Sequence, residues 1–435
     1  MMRRVRRDIW RSVLAGALVC GSLSVPARVE AAEEAGASSS GTLLTLAESY
    51  QLALRRSEEI AIRKELLVEA QAHFLQALSD VLPHVSFDLS ERRQDGSGTS
   101  AFTLRRVPER KFALTQPLFS GFKAFAALSG SRAERKQREY EQRRAEQVLL
   151  VDVADAFYLL RQEREDLATL EAIRAALSQR IDELNERERL GRSRPSEAVS
   201  AEAQLRRVEA EMADVAREEL LARQLLEFLT GRDQIEGTLD SPEVALQPAA
   251  DDVYLAKVGS RPDVQAQAEA WQVAKRAVWV AQAKFWPTAN LEANYYTERV
   301  GVSADVDWDA LVTVEIPLFQ GGEALGDTKL ARSRARQAKL HFEQAQRAAE
   351  LDIRDAVTQW RSELFRLDAL DQALQAAETN YQLQTADYRL NLVNNLEVLQ
   401  ALQALEDARR DVIRSRYEAR RLAWRLRTAT GDGWR

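Results

Sequence analysis

The side chains best equipped for chemistry in this 435-residue sequence are scattered. His73, His84 and His341 are its three histidines, and Cys20 is its one cysteine. No His-Glu-x-x-His run and no cysteine pair is present, so the convergent nitrogen or sulfur ligands of a zinc site are not predicted. Asp305, Asp307 and Asp309 alternate as the first ligands of a calcium loop do. Ala310 then takes the position where that loop needs glycine for its sharp turn, which rules the calcium reading out. Gly96 and Gly98 fall in a turn with no helix behind it, unlike a dinucleotide fingerprint. No pattern sets a nucleophile beside a base. The expectation is a protein that is not an enzyme and carries no metal and no cofactor. The 61 basic residues against 67 acidic ones leave a net charge of −6, without the basic excess of a nucleic-acid binder.

The informative pattern is a repeat. Gln-Pro-Leu-Phe-Ser-Gly at 116–121 returns as Ile-Pro-Leu-Phe-Gln-Gly at 316–321, an offset of 317 − 117 = 200. The offset holds through Leu190 and Leu390, Leu205 and Leu405, and Thr230-Gly231 and Thr430-Gly431. A duplicated unit of preserved length follows. Each half reads in the same order. A helix (43 to about 80; 251 to 285) stops before Pro83 or Pro287. Period-two alternation then predicts strands over 84–94, 107–118, 288–298 and 307–318. A proline-free helical stretch of about 70 residues comes next, or roughly 105 Å at 1.5 Å per residue. A shorter helix closes each half near Thr230-Gly231 or Thr430. The fold class is therefore mainly α with a small β part, built as a duplicated helix–hairpin–long helix–short helix unit. The boundaries are residues 32–231 for the first repeat, 232–250 for a linker and 251–435 for the second repeat. Two short helices stacked end to end match one long helix, so the turns near Gly191 and Asn391 share one end of a bundle and the strands the other.

The first 31 residues read as an export signal. Arg3, Arg4, Arg6 and Arg7 precede a short apolar core from Ser12 to Val25, with cleavage expected after Ala31. Val19 stands before Cys20 where lipidation expects a small residue. Beyond Ala31 no apolar run is long enough for a spanning helix, so membrane entry requires strands. Four strands cannot close alone, and lipid tolerates no open edges. Two copies give eight strands and a filled interior. Three give twelve and a conduit. Apolar residues alternate with Asp, Glu, Asn, Ser and Thr along the strands, and Phe119, Trp286, Trp308 and Phe319 fall near strand ends where interfacial aromatics belong. Two soluble hairpins packed on helices is the other reading of the same strands.

With these motifs in order, the sequence resembles the TolC family of outer-membrane efflux proteins. The carriers are Leu82-Pro83 and Trp286-Pro287 before a strand, the two Pro-Leu-Phe-x-Gly motifs, and the tips Leu190-Gly191 with Glu197-Ala198-Val199 and Leu390-Asn391 with Glu397-Val398-Leu399. The resemblance implies a homotrimer with a twelve-stranded β-barrel in outer-membrane lipid and an α-helical tunnel crossing the periplasm. It implies a periplasmic adaptor and an inner-membrane pump as partners, in efflux or type I secretion. By the same resemblance, Leu190, Gly191 and Arg192 with Leu390, Asn391 and Leu392 are adaptor-docking tips, and Glu197, Tyr388 and Glu397 narrow the tunnel. Gln400 and Val393 depart from the acid and the arginine that the family pattern places there, so a looser, less anionic constriction is expected. Asn391 replaces a glycine, and asparagine tolerates the left-handed conformation. Pro117, Gly121, Pro317 and Gly321 mark the junctions of strand and helix, with proline ending a ladder and glycine turning the chain. The competing function is a periplasmic coiled-coil adaptor or scaffold without a channel; one hairpin tip and a lipoyl-like domain would suit it better than two tips and two strand pairs.

Overall fold

The computed structural model describes residues 43–100, 102–235, 237–238 and 249–434. The export signal at 1–31, Cys20 and the linker stretch 239–248 lie outside the described residues. The elements in order are β1 (Leu43–Leu44), α1 (Leu46–Arg56), α2 (Glu58–Ser79), β2 (His84–Arg93), β3 (Arg106–Ser120), α3 (Lys123–Arg189), α4 (Pro195–Thr230), β4 (Gly237–Thr238), α5 (Asp251–Leu255), α6 (Pro262–Gln282), β5 (Thr288–Arg299), β6 (Trp308–Glu315), α7 (Glu323–Arg389) and α8 (Asn395–Ala429).

The helix read as continuous from 43 to 80 is two. Thr45 and Glu48 close a capping box at the start of α1, and Ser57, in an extended conformation, caps α2 with its hydroxyl. A serine that satisfies one helix's orphan N–H ends the preceding helix at the same residue. The stretch 251–285 is likewise divided. Pro262 opens α6 at its first position, where the missing N–H is harmless, and a single 3-10 turn precedes it. The parallel two-residue pairing of β1 with β4 has no periodic signal and was not expected.

α3 and α7 have 67 residues each, or about 100 Å. Between them lie α6 at the strand end and α8 at the turn end. On the outer side of α3, α2 occupies the strand end and α4 the turn end, with α1 against both α3 and α4. Each long strut thus has paired short struts beside it. One apolar core joins α1, α3, α4 and α8 around Phe157, Tyr158, Leu226 and Trp424. A second lies nearer the turns, around Leu170, Leu177, Leu184 and Val208. A third joins α7, α8 and Tyr254 around Trp360.

The principal sheet has four antiparallel strands in the order β2-β3-β5-β6. Among the described residues, the outer edges of β2 and β6 pair with nothing. β3 runs to Ser120 rather than ending at 118, and its register with β5 shifts between Pro117 and Phe119. Proline, with no N–H to donate, sits where the ladder is irregular.

Candidate functional site

Both tips are built by the same backbone device. At the end of α3, Gly191 takes φ +72°, and the Arg192 N–H reaches the Arg187 carbonyl at 2.8 Å. At the end of α7, Asn391 takes φ +58°, and the Leu392 N–H reaches the Asp387 carbonyl at 2.9 Å. These are Schellman closures, in which one left-handed residue lets the chain reverse and satisfies a free carbonyl. Leu190, Leu390 and Leu392 are 61 %, 69 % and 70 % exposed, and Gly191, Arg192 and Asn391 are also exposed. Three protruding leucines on two adjacent turns make an apolar tip that no other described residue covers.

Just inside the tips the two repeats are tied together. The Tyr388 hydroxyl donates to Glu197 Oε2 at 3.2 Å, and the Ser193 hydroxyl donates to the same oxygen at 2.9 Å. Tyr388 is buried and Glu197 half-buried. Arg180 lies over the Tyr388 ring at 3.9 Å and Arg187 at 4.6 Å, each a cation facing the negative π surface. Arg180 also donates twice to Asn395 Oδ1, at 3.1 and 3.0 Å, and the Asn395 amide donates to the Glu197 carbonyl at 3.3 Å. Asn395 is buried, so this network is interior rather than superficial. Glu397 stands apart from it. It is exposed at the start of α8, and Asn394 caps its N–H at 3.2 Å and reaches its carboxylate at 3.4 Å. The structure therefore joins Glu197 to Tyr388 and leaves Glu397 outside. Arg180, Arg187, Ser193 and Asn395 went unread in the sequence. The signal for the two arginines was their spacing of seven residues, which puts both on one face of α3.

The junctions of sheet and helix are alike in backbone and unlike in packing. Gly121 and Gly321 both take φ +60°. Pro317 lies past the end of β6, whereas Pro117 lies within β3. A second left-handed residue follows each glycine: Gly322 at φ 89° and Phe122 at φ 67°. Phenylalanine is strained there, and ring contacts hold it, edge-on to Phe119 at 5.3 Å and to Trp286 at 5.9 Å.

The sheet separates two chemistries. Its register aligns Phe87, Phe112, Tyr295 and Trp308 in one row across all four strands. The Phe87 and Phe112 rings are 4.7 Å apart, and Trp308 is 62 % exposed. Val85, Leu291, Val312 and Val314 occupy the same face toward the helices. A second aromatic group, Phe119, Phe122 and Trp286 in edge-on ring contact, marks the helix end of the sheet, and Phe319 follows the end of β6. Nine residues separate Trp286 from Tyr295, about 30 Å along the strand, or about 23 Å for strands tilted near 40°. The opposite face is polar. Tyr296 and Asn294 both donate to Asp309 at 2.8 Å, and Lys111 stands opposite Tyr296. Among the described residues no group of histidines, cysteines or carboxylates is arranged to hold a metal ion, and no helix is long and apolar enough to cross a membrane.

Comparison with known proteins follows the same lines. The sequence profile of the outer membrane efflux protein family matches residues 257–432. The cation efflux system protein CusC of Escherichia coli O157:H7 is 27 % identical over 179 residues, covering 40 % of this chain and 39 % of CusC. The aligned segment thus spans about two fifths of that relative's length. The outer membrane protein TolC of Vibrio cholerae serotype O1 is 24 % identical over 426 residues, covering 94 % of this chain and 87 % of TolC. The solved outer membrane protein VceC of Vibrio cholerae superposes with a TM-score of 0.76 at 23 % identity, covering 90 % of this chain and 97 % of VceC.

Proposed function

The chain belongs to the outer membrane efflux protein family, and on that premise we propose that it is a passive exit duct of a tripartite efflux or type I secretion system. One observation carries the reading. The open four-stranded sheet has an apolar face between two aromatic groups about 30 Å apart along the strand, which at a barrel's strand tilt would span about 23 Å, close to the roughly 25 Å band of an outer-membrane barrel. Such a face with two unpaired edges is stable in lipid only when closed on other copies. Three copies give twelve strands, with Asp309, Asn294 and Lys111 facing the lumen.

In this reading the helices continue the lumen through the periplasm and cargo passes without any bond being made or broken. The leucine-rich turns at 190–192 and 390–392 receive a periplasmic adaptor, which couples the duct to an inner-membrane pump. The bond between Tyr388 and Glu197 closes the duct at the turn end, Glu397 lines its mouth, and Asn395 holds the two hairpins in register. Pro117, Gly121, Pro317 and Gly321 turn the barrel wall into the tunnel wall.

The test is conductance of the detergent-extracted full chain in a planar bilayer. Discrete channel events from a trimer are expected. Recovery of native protein from the soluble periplasmic fraction without detergent would overturn the duct in favour of a scaffold. Cysteines introduced at Arg192 or Leu392 are expected to crosslink to the adaptor; crosslinks confined to positions remote from the turns would remove the docking assignment.

A further inference from the structure

Two apolar cores share α3, α4 and α8, and a charged layer divides them. Asp166 is 1 % exposed, Glu406 4 % and Glu163 8 %. Arg410 holds the layer together. It donates to Asp166 at 2.8 and 3.2 Å and to Glu211 of α4 at 2.6 Å. Arg414 makes a second, longer contact with Asp166 at 3.4 Å. Arg409 turns the other way, to Glu378 of α7 at 3.0 Å. Glu163 accepts from the Gln162 amide at 2.9 Å. Glu406 lies one turn before Arg410 on α8, and among the described residues it has no hydrogen-bond or ion-pair partner. The two arginines of the layer are already committed to Asp166 and Glu211. Beside Asp166, Glu211 and Glu163, a further charged carboxyl has no direct ion pair among the described residues, and a buried charge without a partner is costly.

We propose that Glu406 is the proton-sensing residue of a joint in the helical bundle. With its proton on, Glu406 adds no negative charge to a layer in which Arg410 and Arg414 already face Asp166, Glu211 and Glu163, and α8 packs against α3 and α4. With its proton off, the uncompensated carboxylate drives α8 away and loosens the segment from the layer to the turns. The layer lies 190 − 166 = 24 residues from the α3 turn, about 36 Å. α8 carries the change directly to Asn395, which holds the Tyr388 network. The consequence for gating rests on the duct reading; the joint itself does not.

Burial, and then the facing Glu211 carboxylate, push the Glu406 carboxyl up to about 7, with Asp407 and Asp166 adding and Arg410 opposing. Its ordinary value is 4.5. A raised carboxyl favours the folded state most at low pH, and that support is lost as pH rises from the ordinary value through the raised one. The joint therefore tightens in acid and relaxes above neutrality.

The experiment is hydrogen exchange of residues 398–412 in the detergent-solubilised full chain at pH 6 and pH 8, corrected for intrinsic exchange. Protection about tenfold weaker at pH 8 is expected, and Glu406→Gln is expected to give the same protection at both values. Wild-type protection independent of pH, or a pH response that survives Glu406→Gln, overturns the proposal. Glu211→Gln is the second arm, and serves alone if Glu406→Gln does not assemble. Removing the facing carboxylate is expected to move the transition to lower pH, and an unmoved transition refutes the joint. Conductance is read on the same samples. A pH-dependent protection in a protein that does not conduct supports the joint and overturns only the duct.

Discussion

Tyr388→Phe isolates one hydroxyl at the proposed closure. The phenylalanine ring keeps its place beneath Arg180 and Arg187 and loses only the bond to Glu197. Glu197 retains its bond from Ser193, so no orphaned carboxylate inflates the effect. A hydrogen bond to a charged group is worth about 1.5–3 kcal/mol. Half-burial of Glu197 and a distance of 3.2 Å put this bond below that range, at about 1 kcal/mol per copy. If three copies open together, the closed state loses about 3 kcal/mol, roughly a hundredfold in the ratio of open to closed. Single-channel recording in a planar bilayer reads that ratio as open probability. Tyr388→Leu also removes the ring from both cations and is expected to open the channel further. An open probability unchanged by Tyr388→Phe in a protein of unchanged melting temperature would refute the closure.

Substitutions at four positions test the supporting architecture by thermal melting. Gly121→Ala places its new carbon 2.7 Å from the Ala283 carbonyl oxygen and 2.8 Å from Trp286 Cβ, whereas Gly321→Ala meets nothing within 4 Å. Both add left-handed strain of about 1–2 kcal/mol, so the first is expected to destabilise clearly more than the second; equal effects would contradict the packing described. Asn391→Gly is expected to be neutral or slightly stabilising and Asn391→Ala to lose about 1 kcal/mol, since only the alanine is strained at φ +58°. Arg261 is 1 % exposed and bridges Asp263, Asp352 and the Ala349 and Ala429 carbonyls; Arg261→Met strands these acceptors and is expected to lose about 3–5 kcal/mol.

The repeat made the order of elements legible, because a fixed offset of 200 residues constrains every boundary twice. Long helices and alternating strands announce themselves by period. The breaks did not. Ser57 divides α1 from α2 by a cap that a helical composition conceals, and β1 pairs β4 over two residues across most of the first repeat. The site was legible in part. Tyr388 and Glu197 were read from motif position, yet their partner Arg180 lies on a helix whose face only the tertiary packing selects. Glu397, equivalent to Glu197 by offset, is held by a local cap instead. Equal position in a repeat does not give equal surroundings.

That inequality has a direction. α8 lies between α3 and α7 and buries 18 residues, while α4, of nearly the same length, buries 8. Glu406 is enclosed, and its offset counterpart, 406 − 200 = 206, is an exposed arginine, Arg206. α4 nevertheless carries Leu221, Leu225 and Phe228 along one face, 49 %, 45 % and 78 % exposed. Positions four and three apart share a stripe, so this is an apolar edge waiting for a neighbour, and α7 presents Phe365, 77 % exposed, at the other edge. A ring of copies repeating α4, α3, α8 and α7 would give α4 the second neighbour that α8 already has. Cysteines at Leu221 and Phe228 are then expected to resist a thiol reagent in the assembled protein and to react after dissociation in denaturant. Equal labelling before and after dissociation would mean that α4 stays wet in the assembly, and the ring would have to be built another way.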